Sequence, residues 1–131
     1  MVSAMIRKDT DFQIVMRVRF NEDVESPIFA YTIKDLKGTE ITGTNTLFEE
    51  IPQIRASAGD VVTVTFTQNM TLQGGEYLLS LGCTGYHAGD FRVFHRLYDL
   101  IGLTVVSTKN TVGFYDMHAR AAVRKEEGTH G

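Results

Sequence analysis

The sequence is poor in cysteine, proline and tryptophan: its 131 residues include one cysteine, two prolines and no tryptophan. Because Cys83 has no partner in the chain, an intrachain disulfide is impossible, and packing alone must hold the fold together. Long apolar runs are also missing, since the longest stretch, Leu100 to Val106, is interrupted by Gly102 and Thr104. The first eleven residues lack the apolar h-region of a signal peptide. We therefore predict a soluble domain without a membrane span.

Positive charge is scarce as well, because 13 lysines and arginines face 16 aspartates and glutamates, which gives a formal net charge of −3. This balance provides no general attraction to phosphate backbones or to anionic membranes. We therefore expect no nucleic-acid partner. Apolar residues make up 43% of the chain and charged residues 22%, a composition typical of an ordered globular protein. The length fits one domain.

Sequence motifs of catalysis are absent. Neither Gly-x-x-x-x-Gly-Lys-Ser/Thr nor Gly-x-Gly-x-x-Gly occurs, and there is no nucleophile elbow or cysteine pair. Cys83 adjoins a leucine-rich segment, which is typical of a small core residue and not of a nucleophile. These absences predict that the domain has no nucleotide hydrolysis, no catalytic residue and no cofactor.

His87, Asp90, His95 and Asp99 lie close together in the sequence, and each could be a metal ligand. Their spacing matches no closed zinc site, and the cupin pattern of two histidines followed by a glutamate is missing. We therefore predict that no metal is bound. His95 is expected on the core side of a strand, and His87 in a loop where it is free to contact solvent or a ligand.

Alternation of apolar and polar residues recurs along the chain and is typical of strands with one buried face. It predicts about seven to nine strands, and hence an all-β antiparallel sandwich. A strand opened by Pro27, in which Phe29, Tyr31 and Ile33 share a face, is expected to form a hairpin with Thr39–Thr46 across the turn Asp35–Gly38. The apolar phase of the strands predicts a core of Phe12, Ile14, Met16, Val18, Ile33, Val62, Val64, Phe66, Tyr77, Leu79, Leu81 and Val93.

The end of the chain differs in composition. Val112–Met117 is predicted to be a last short strand after the turn at Lys109 and Asn110, and a terminal strand of this kind is easily exchanged between two copies in a homodimer. Residues 118–131 favour a short helix or a disordered tail. The expected boundaries are therefore a sandwich domain over residues 1–117 and a tail over residues 118–131.

One predicted strand offers a candidate binding face. Its core phase is predicted to be Phe91, Val93, His95 and Leu97, and its other phase is Arg92, Phe94, Arg96 and Tyr98. Guanidinium groups alternating with flat rings suit a sugar, which needs apolar contact and directional donors. The predicted loop Thr84–Asp90 would add Tyr86 and His87. The alternative is a solvated face whose rings pack against a neighbouring strand.

Four segments occur in an order that resembles a known family: Ile41–Thr46, the Gly59-Asp60 step, Gly75–Gly82 and Leu97–Asp99. Together they resemble the C-terminal carbohydrate-binding domain of Wzt-type ATP-binding subunits of ABC transporters that export O-antigen and related polysaccharides. The resemblance covers about Phe12 to Ser107.

The resemblance implies an immunoglobulin-like β-sandwich at the cytoplasmic face of the membrane. It also implies recognition of a lipid-linked glycan, a homodimer, and association with the transporter's ATPase and membrane subunits. Thr44 and Asn45 belong to the matching motif, where Asn45 either binds sugar or closes a turn.

The predicted function is a non-catalytic carbohydrate-binding module for an exported polysaccharide. Two alternatives stay open at this stage. One is an assembly module whose dimer matters and whose polar face binds nothing. The other is a small metal-dependent enzyme that uses His87, His95 and the nearby aspartates.

Overall fold

The computed structural model describes residues 2–126, with side chains for residues 3–94 and 101–126. This part of the chain contains no helix, and so none that could cross a bilayer. Its eight strands are β1 (Val2–Arg7), β2 (Asp11–Arg19), β3 (Val24–Asp35), β4 (Glu40–Asn45), β5 (Arg55–Ala56), β6 (Val61–Asn69), β7 (Gly75–His87) and β8 (Asp90–Val106).

The strands form two sheets. Six strands make the larger sheet in the order β1-β8-β7-β3-β4, with β5 pairing to β3, and β2 and β6 form a two-stranded ribbon. The predicted all-β sandwich is confirmed. The prediction of a wholly antiparallel fold is wrong at β1, which pairs in parallel with residues 101–106 of β8. Alternation has the same period in both orientations, so the sequence pattern carried no information on strand direction.

The core lies between the two sheets, and the predicted core residues are in it with one exception. Six are buried, and Phe12, Val18, Val62, Val64 and Leu81 are half-buried against the same cluster. Cys83 is buried, as predicted, and burial raises the pKa of its thiol to about 11. The exception is Val93, which is 47% exposed.

A register shift in β8 explains the error at Val93. Thr84 pairs with Val93, but the preceding residue of β7, Cys83, pairs with His95. Phe94 is therefore an extra residue of β8 that has no partner in β7. A bulge of this kind reverses which side chains face the core. Phe91 and Val93 are therefore exposed, whereas Phe94 packs against the core, opposite to the predicted phases. The predictions for the side chains of His95, Arg96, Leu97 and Tyr98 lie outside the described residues.

Two hairpins, β3–β4 and β7–β8, contribute four strands of the larger sheet. The predicted β3–β4 hairpin is confirmed, and the Asp35 carboxylate accepts hydrogen bonds from the Lys37 and Thr39 amides at 2.9 Å. The predicted loop Thr84–Asp90 is wrong, because β7 continues to His87 and β8 begins at Asp90. Only Ala88 and Gly89 form the turn, with φ of 51° and 85°, as two-residue hairpins that match the sheet twist require.

The prediction of a strand at Val112–Met117 is also wrong. The segment makes a single bridge, Leu72 to Tyr115, and is otherwise held by a buried ion pair. The Lys8 ammonium lies 2.9 Å from the Asp116 carboxylate, and both side chains are 3% exposed. The hydrogen bond from Lys8, with another from the His118 amide, holds the pKa of Asp116 well below its usual range. The described part of the tail, residues 118–126, has no helix or strand.

Candidate functional site

A cleft of about 580 Å³ opens between β6 and the larger sheet. Its floor contains Phe29 and Tyr31 of β3, and the segment 46–54 closes one side. The lining also includes Thr44 of β4, one of the residues predicted from the sequence to bind a ligand. The full lining is Ser26, Pro27, Ile28, Phe29, Tyr31, Thr44, Thr46, Leu47, Glu49, Ile51, Pro52, Gln53, Ile54, Val62, Thr63, Val64, Thr65, Phe66, Thr67 and Gln68.

One wall of the cleft is a free strand edge. Within residues 2–126, β6 pairs with β2 alone, and no residue of β2 lines the cleft. The cleft therefore lies along the side of β6 that faces away from β2. In an antiparallel pair, alternate residues direct their N–H and C=O groups away from the partner strand. The edge of β6 thus offers backbone donors and acceptors to whatever occupies the cleft.

The segment 46–54 is shaped by hydrogen bonds from the end of β4. The Asn45 side-chain oxygen accepts from the Phe48 amide at 2.7 Å, and the Thr46 hydroxyl accepts from the Phe29 amide at 3.1 Å. The Asn45 bond closes a turn at the end of β4. These bonds fix a loop with several exposed apolar side chains; Phe48 is 74% exposed, and Leu47, Ile51 and Ile54 line the cleft.

A second, smaller cleft of about 340 Å³ adjoins the first and shares Tyr31 and Gln68 with it. The Tyr31 hydroxyl donates to the Gln68 amide oxygen at 3.2 Å. Burial, and to a lesser extent the negative charge of Glu49, raise the pKa of Tyr31, so the phenol is neutral at pH 7 and can donate. Sequence patterning placed Tyr31 with the apolar phase and gave no signal that its hydroxyl, Gln68 or Glu49 would meet in a cleft.

Three other residues predicted to bind a ligand, Tyr86, His87 and Arg92, lie near the turn of the β7–β8 hairpin. One face of the hairpin there is apolar. Tyr86 and Phe91 form a cross-strand pair whose rings are 5.5 Å apart and nearly perpendicular. Their neighbour Val93 is on the same sheet face, so the three exposed side chains form one apolar patch.

The opposite face of this hairpin is polar. It carries His87 and Arg92, both predicted to bind a ligand. The Glu22 carboxylate lies 3.3 Å from the His87 ring and 3.8 Å from the Arg92 guanidinium. The other ring nitrogen of His87 lies 2.7 Å from the Asp23 carbonyl oxygen. His87 is therefore tied to the β2–β3 connection instead of being the free loop residue predicted from the sequence.

The predicted binding set is thus dispersed. Tyr86, His87 and Arg92 are near the hairpin turn, Thr44 is in the cleft, and Phe94 faces the core. Among the described side chains, no three of His, Cys, Asp and Glu come together as a metal site would require. The side chains of His95 and Asp99, the other two candidate ligands, are not among those described.

Comparison with known proteins agrees with the fold. A profile of the Wzt C-terminal domain matches residues 2–117. A solved structure, the crystal structure of the C-terminal domain of wzt, superposes with a TM-score of 0.82 at 29% identity, covering 91% of this chain and 73% of that one. No curated protein matches. The chain therefore belongs to the Wzt C-terminal domain family, the non-ATPase domains of the ATP-binding subunits of polysaccharide ABC transporters.

Proposed function

We propose that this domain is a non-catalytic module that binds the polysaccharide its transporter exports, a lipid-linked cell-surface glycan, and that the cleft beside β6 is the binding site. The observation that carries the proposal is the composition of that cleft. Apolar side chains, threonine hydroxyls and a free strand edge line one concave volume of about 580 Å³, within the range of small-ligand sites.

Sugars suit this mixture. A pyranose ring has apolar C–H faces and a rim of hydroxyl groups, each of which loses water when it is buried. The floor at Phe29 and Phe66 offers apolar contact, while the Thr44 hydroxyl and the second lone pair of the Gln68 amide oxygen offer hydrogen bonds. The edge of β6 supplies further donors and acceptors in the spacing of a strand.

The adjoining cleft suits a polymer. Because the two clefts share Tyr31 and Gln68, they form neighbouring compartments of one groove between the sheets. We propose that successive sugars of one chain occupy them. The hairpin residues Tyr86, His87 and Arg92 would add contacts at the domain's end, and Arg96 and Tyr98 remain proposed contacts on β8.

The setting follows from the family. We propose that the domain works in the cytoplasm at the inner face of the membrane, as part of a subunit that associates with the transporter's ATPase and membrane subunits. A homodimer is part of this proposal. The strand at Val112–Met117 that was expected to exchange between copies is absent, and the edge of β2 that is free within the described residues is the alternative pairing site.

The test is a titration of the purified domain with the polysaccharide encoded beside its gene, followed by amide NMR. Thr44→Val keeps the side-chain shape and removes the hydroxyl, so we expect about fivefold weaker binding with an unchanged melting temperature. Thr32→Val, on the paired strand β3 and in the lining of neither cleft, is the matched control. Tyr86→Ala and Phe91→Ala test the hairpin. If only the hairpin variants weaken binding, the site is the hairpin and not the cleft.

A second candidate function is assembly, and one observation favours it. The hydrogen-bonded segment 46–54 holds Leu47, Phe48, Ile51 and Ile54 exposed, a pattern typical of protein contact surfaces. A domain that serves only assembly would sediment as a dimer and show no amide shifts with the polysaccharide. Phe48→Ser would then dissociate the dimer, whereas Thr44→Val would leave it intact.

A further inference from the structure

We infer that the cleft beside β6 selects neutral sugars that carry methyl groups, such as 6-deoxy sugars, and disfavours acidic ones. The inference rests on the proposed function, because it specifies the ligand class of the same cleft. It depends on two independent properties of the lining, its charge and its apolar character.

The first property is charge. Among the described residues that line the cleft, Glu49 is the one carboxylic acid, and none is Lys, Arg or His. Recognition of a carboxylate or phosphate in a concave site usually requires arginine or lysine. Arg17 and Arg19 of β2 have exposed side chains on the outer face of the ribbon, and neither lines the cleft.

The negative charge of Glu49 would also repel an acidic ligand. Its charge contributes to the raised pKa of Tyr31, which is part of the cleft floor, so its negative potential extends into the cleft. An acidic sugar would lose hydration there, meet this like charge and find no cation to replace water. A neutral sugar meets neither cost.

The second property is the apolar lining. The floor and walls include Ile28, Phe29, Ile51, Val62, Val64 and Phe66, and Thr44 carries a methyl group beside its hydroxyl. A hydroxymethyl group placed here would need a hydrogen-bond partner, whereas a methyl group needs none. Burial of one methyl group favours binding by about fourfold.

The experiment compares sugars that differ at one carbon. Two series of methyl glycosides keep one ring stereochemistry each: D-fucose, D-galactose and D-galacturonate, and D-rhamnose, D-mannose and D-mannuronate. Within a series the C5 substituent changes from methyl to hydroxymethyl to carboxylate. Amide shifts of the cleft residues are followed at millimolar sugar, at low and at high salt.

We expect the deoxy member of at least one series to bind about fourfold more tightly than the hydroxymethyl member. The carboxylate member should bind at least about fivefold more weakly than the hydroxymethyl member. Glu49→Gln should strengthen binding of the uronate by about threefold and leave the deoxy sugar unchanged. Glu50→Gln removes the adjacent charge, which does not line the cleft, and should change neither.

The outcomes separate the two claims. A uronate that binds the cleft at least as tightly as its deoxy counterpart overturns the inference and leaves the proposed function standing. A Glu49→Gln variant that behaves as Glu50→Gln removes the electrostatic basis of the inference. If none of the glycosides and no exported polysaccharide shifts the cleft amides, the proposed function is wrong and the inference is wrong with it.

Discussion

The Tyr31 hydroxyl donates a hydrogen bond to the Gln68 side-chain oxygen at 3.2 Å, and this contact joins the two sheets at the boundary between the two clefts. The Gln68 amide nitrogen donates in turn to the carbonyl oxygens of Phe12 and Phe66. Because both amide ends are engaged, the orientation of Gln68 is fixed before any ligand arrives. Pre-orientation of this kind reduces the entropy lost on binding.

Tyr31→Phe tests this contact. It removes the hydroxyl from a buried ring and leaves the Gln68 oxygen without its donor, so we expect unfolding free energy to fall by about 1 kcal/mol in urea titrations. Tyr115→Phe, at an exposed ring, is the control and should change stability by less than about 0.5 kcal/mol. Equal stability of the two variants would show that the Tyr31 hydroxyl contributes nothing.

The residues of this contact show what the sequence could and could not predict. Tyr31 was placed correctly in the apolar phase of a strand, because alternation reports which side chains face the core. Its hydrogen bond to Gln68 depends on how β6 lies over β3, and the distance between two sheets has no signal in local sequence. The cleft was therefore missed, although Thr44 in its lining was proposed.

The errors at β8 and β1 have separate causes. A one-residue bulge at Phe94 reverses the phase of Phe91 and Val93 relative to the register from His95 onward, and nothing in the local sequence marks it. The parallel pairing of β1 depends on which sheet edge is available once the other strands have assembled. By contrast, the β3–β4 hairpin was predictable because the turn chemistry of Asp35 is local.

The Lys8–Asp116 ion pair predicts an acid-sensitive stability. Because the pKa of Asp116 is lowered by folding, its contribution is complete above the unfolded value of about 4 and is lost as the pH falls toward the folded value. Asp116→Asn should therefore lower the melting temperature near neutral pH, and the difference from the parent should shrink as the pH falls below about 4.

The control for the ion pair is Asp9→Asn, because the exposed Asp9 carboxylate lies 3.1 Å from the exposed His118 ring. Differential scanning calorimetry over the pH range gives both curves. A difference between the parent and Asp116→Asn that stays constant through acid would mean that the carboxylate charge is not what Lys8 requires.

Phe94→Ala distinguishes a core ring from a binding ring. Phe94 packs against the core, so we expect its truncation to lower the unfolding free energy by about 2 kcal/mol or more, with weakened glycan binding only as a consequence of unfolding. Phe91→Ala removes an exposed ring three residues away and should cost less than about 1 kcal/mol. Urea titration compares the two variants. A Phe94→Ala domain as stable as the parent would restore the ring to the exposed face predicted from the sequence.

Gly43→Ala tests why the family-like segment Ile41–Thr46 has glycine at position 43. A Cβ at position 43 would lie 2.6 Å from the carbonyl oxygen of Tyr31 and 3.1 Å from the Cα of Thr32, and both atoms are backbone of the neighbouring strand. Since neither can move alone, β4 must shift away from β3, and we expect a loss of about 1 to 3 kcal/mol in unfolding free energy.

The shift at Gly43 should also reach the cleft, because Thr44 and Thr46 follow on the same strand and its connection. We therefore expect amide shifts in Gly43→Ala to spread over the segment 46–54. Thr42→Ala, at an exposed neighbour on β4, should leave both stability and these amides close to the parent. If Gly43→Ala is as stable as Thr42→Ala and its cleft amides do not move, close strand approach is not the reason for the glycine, and a direct role at the ligand becomes the better explanation.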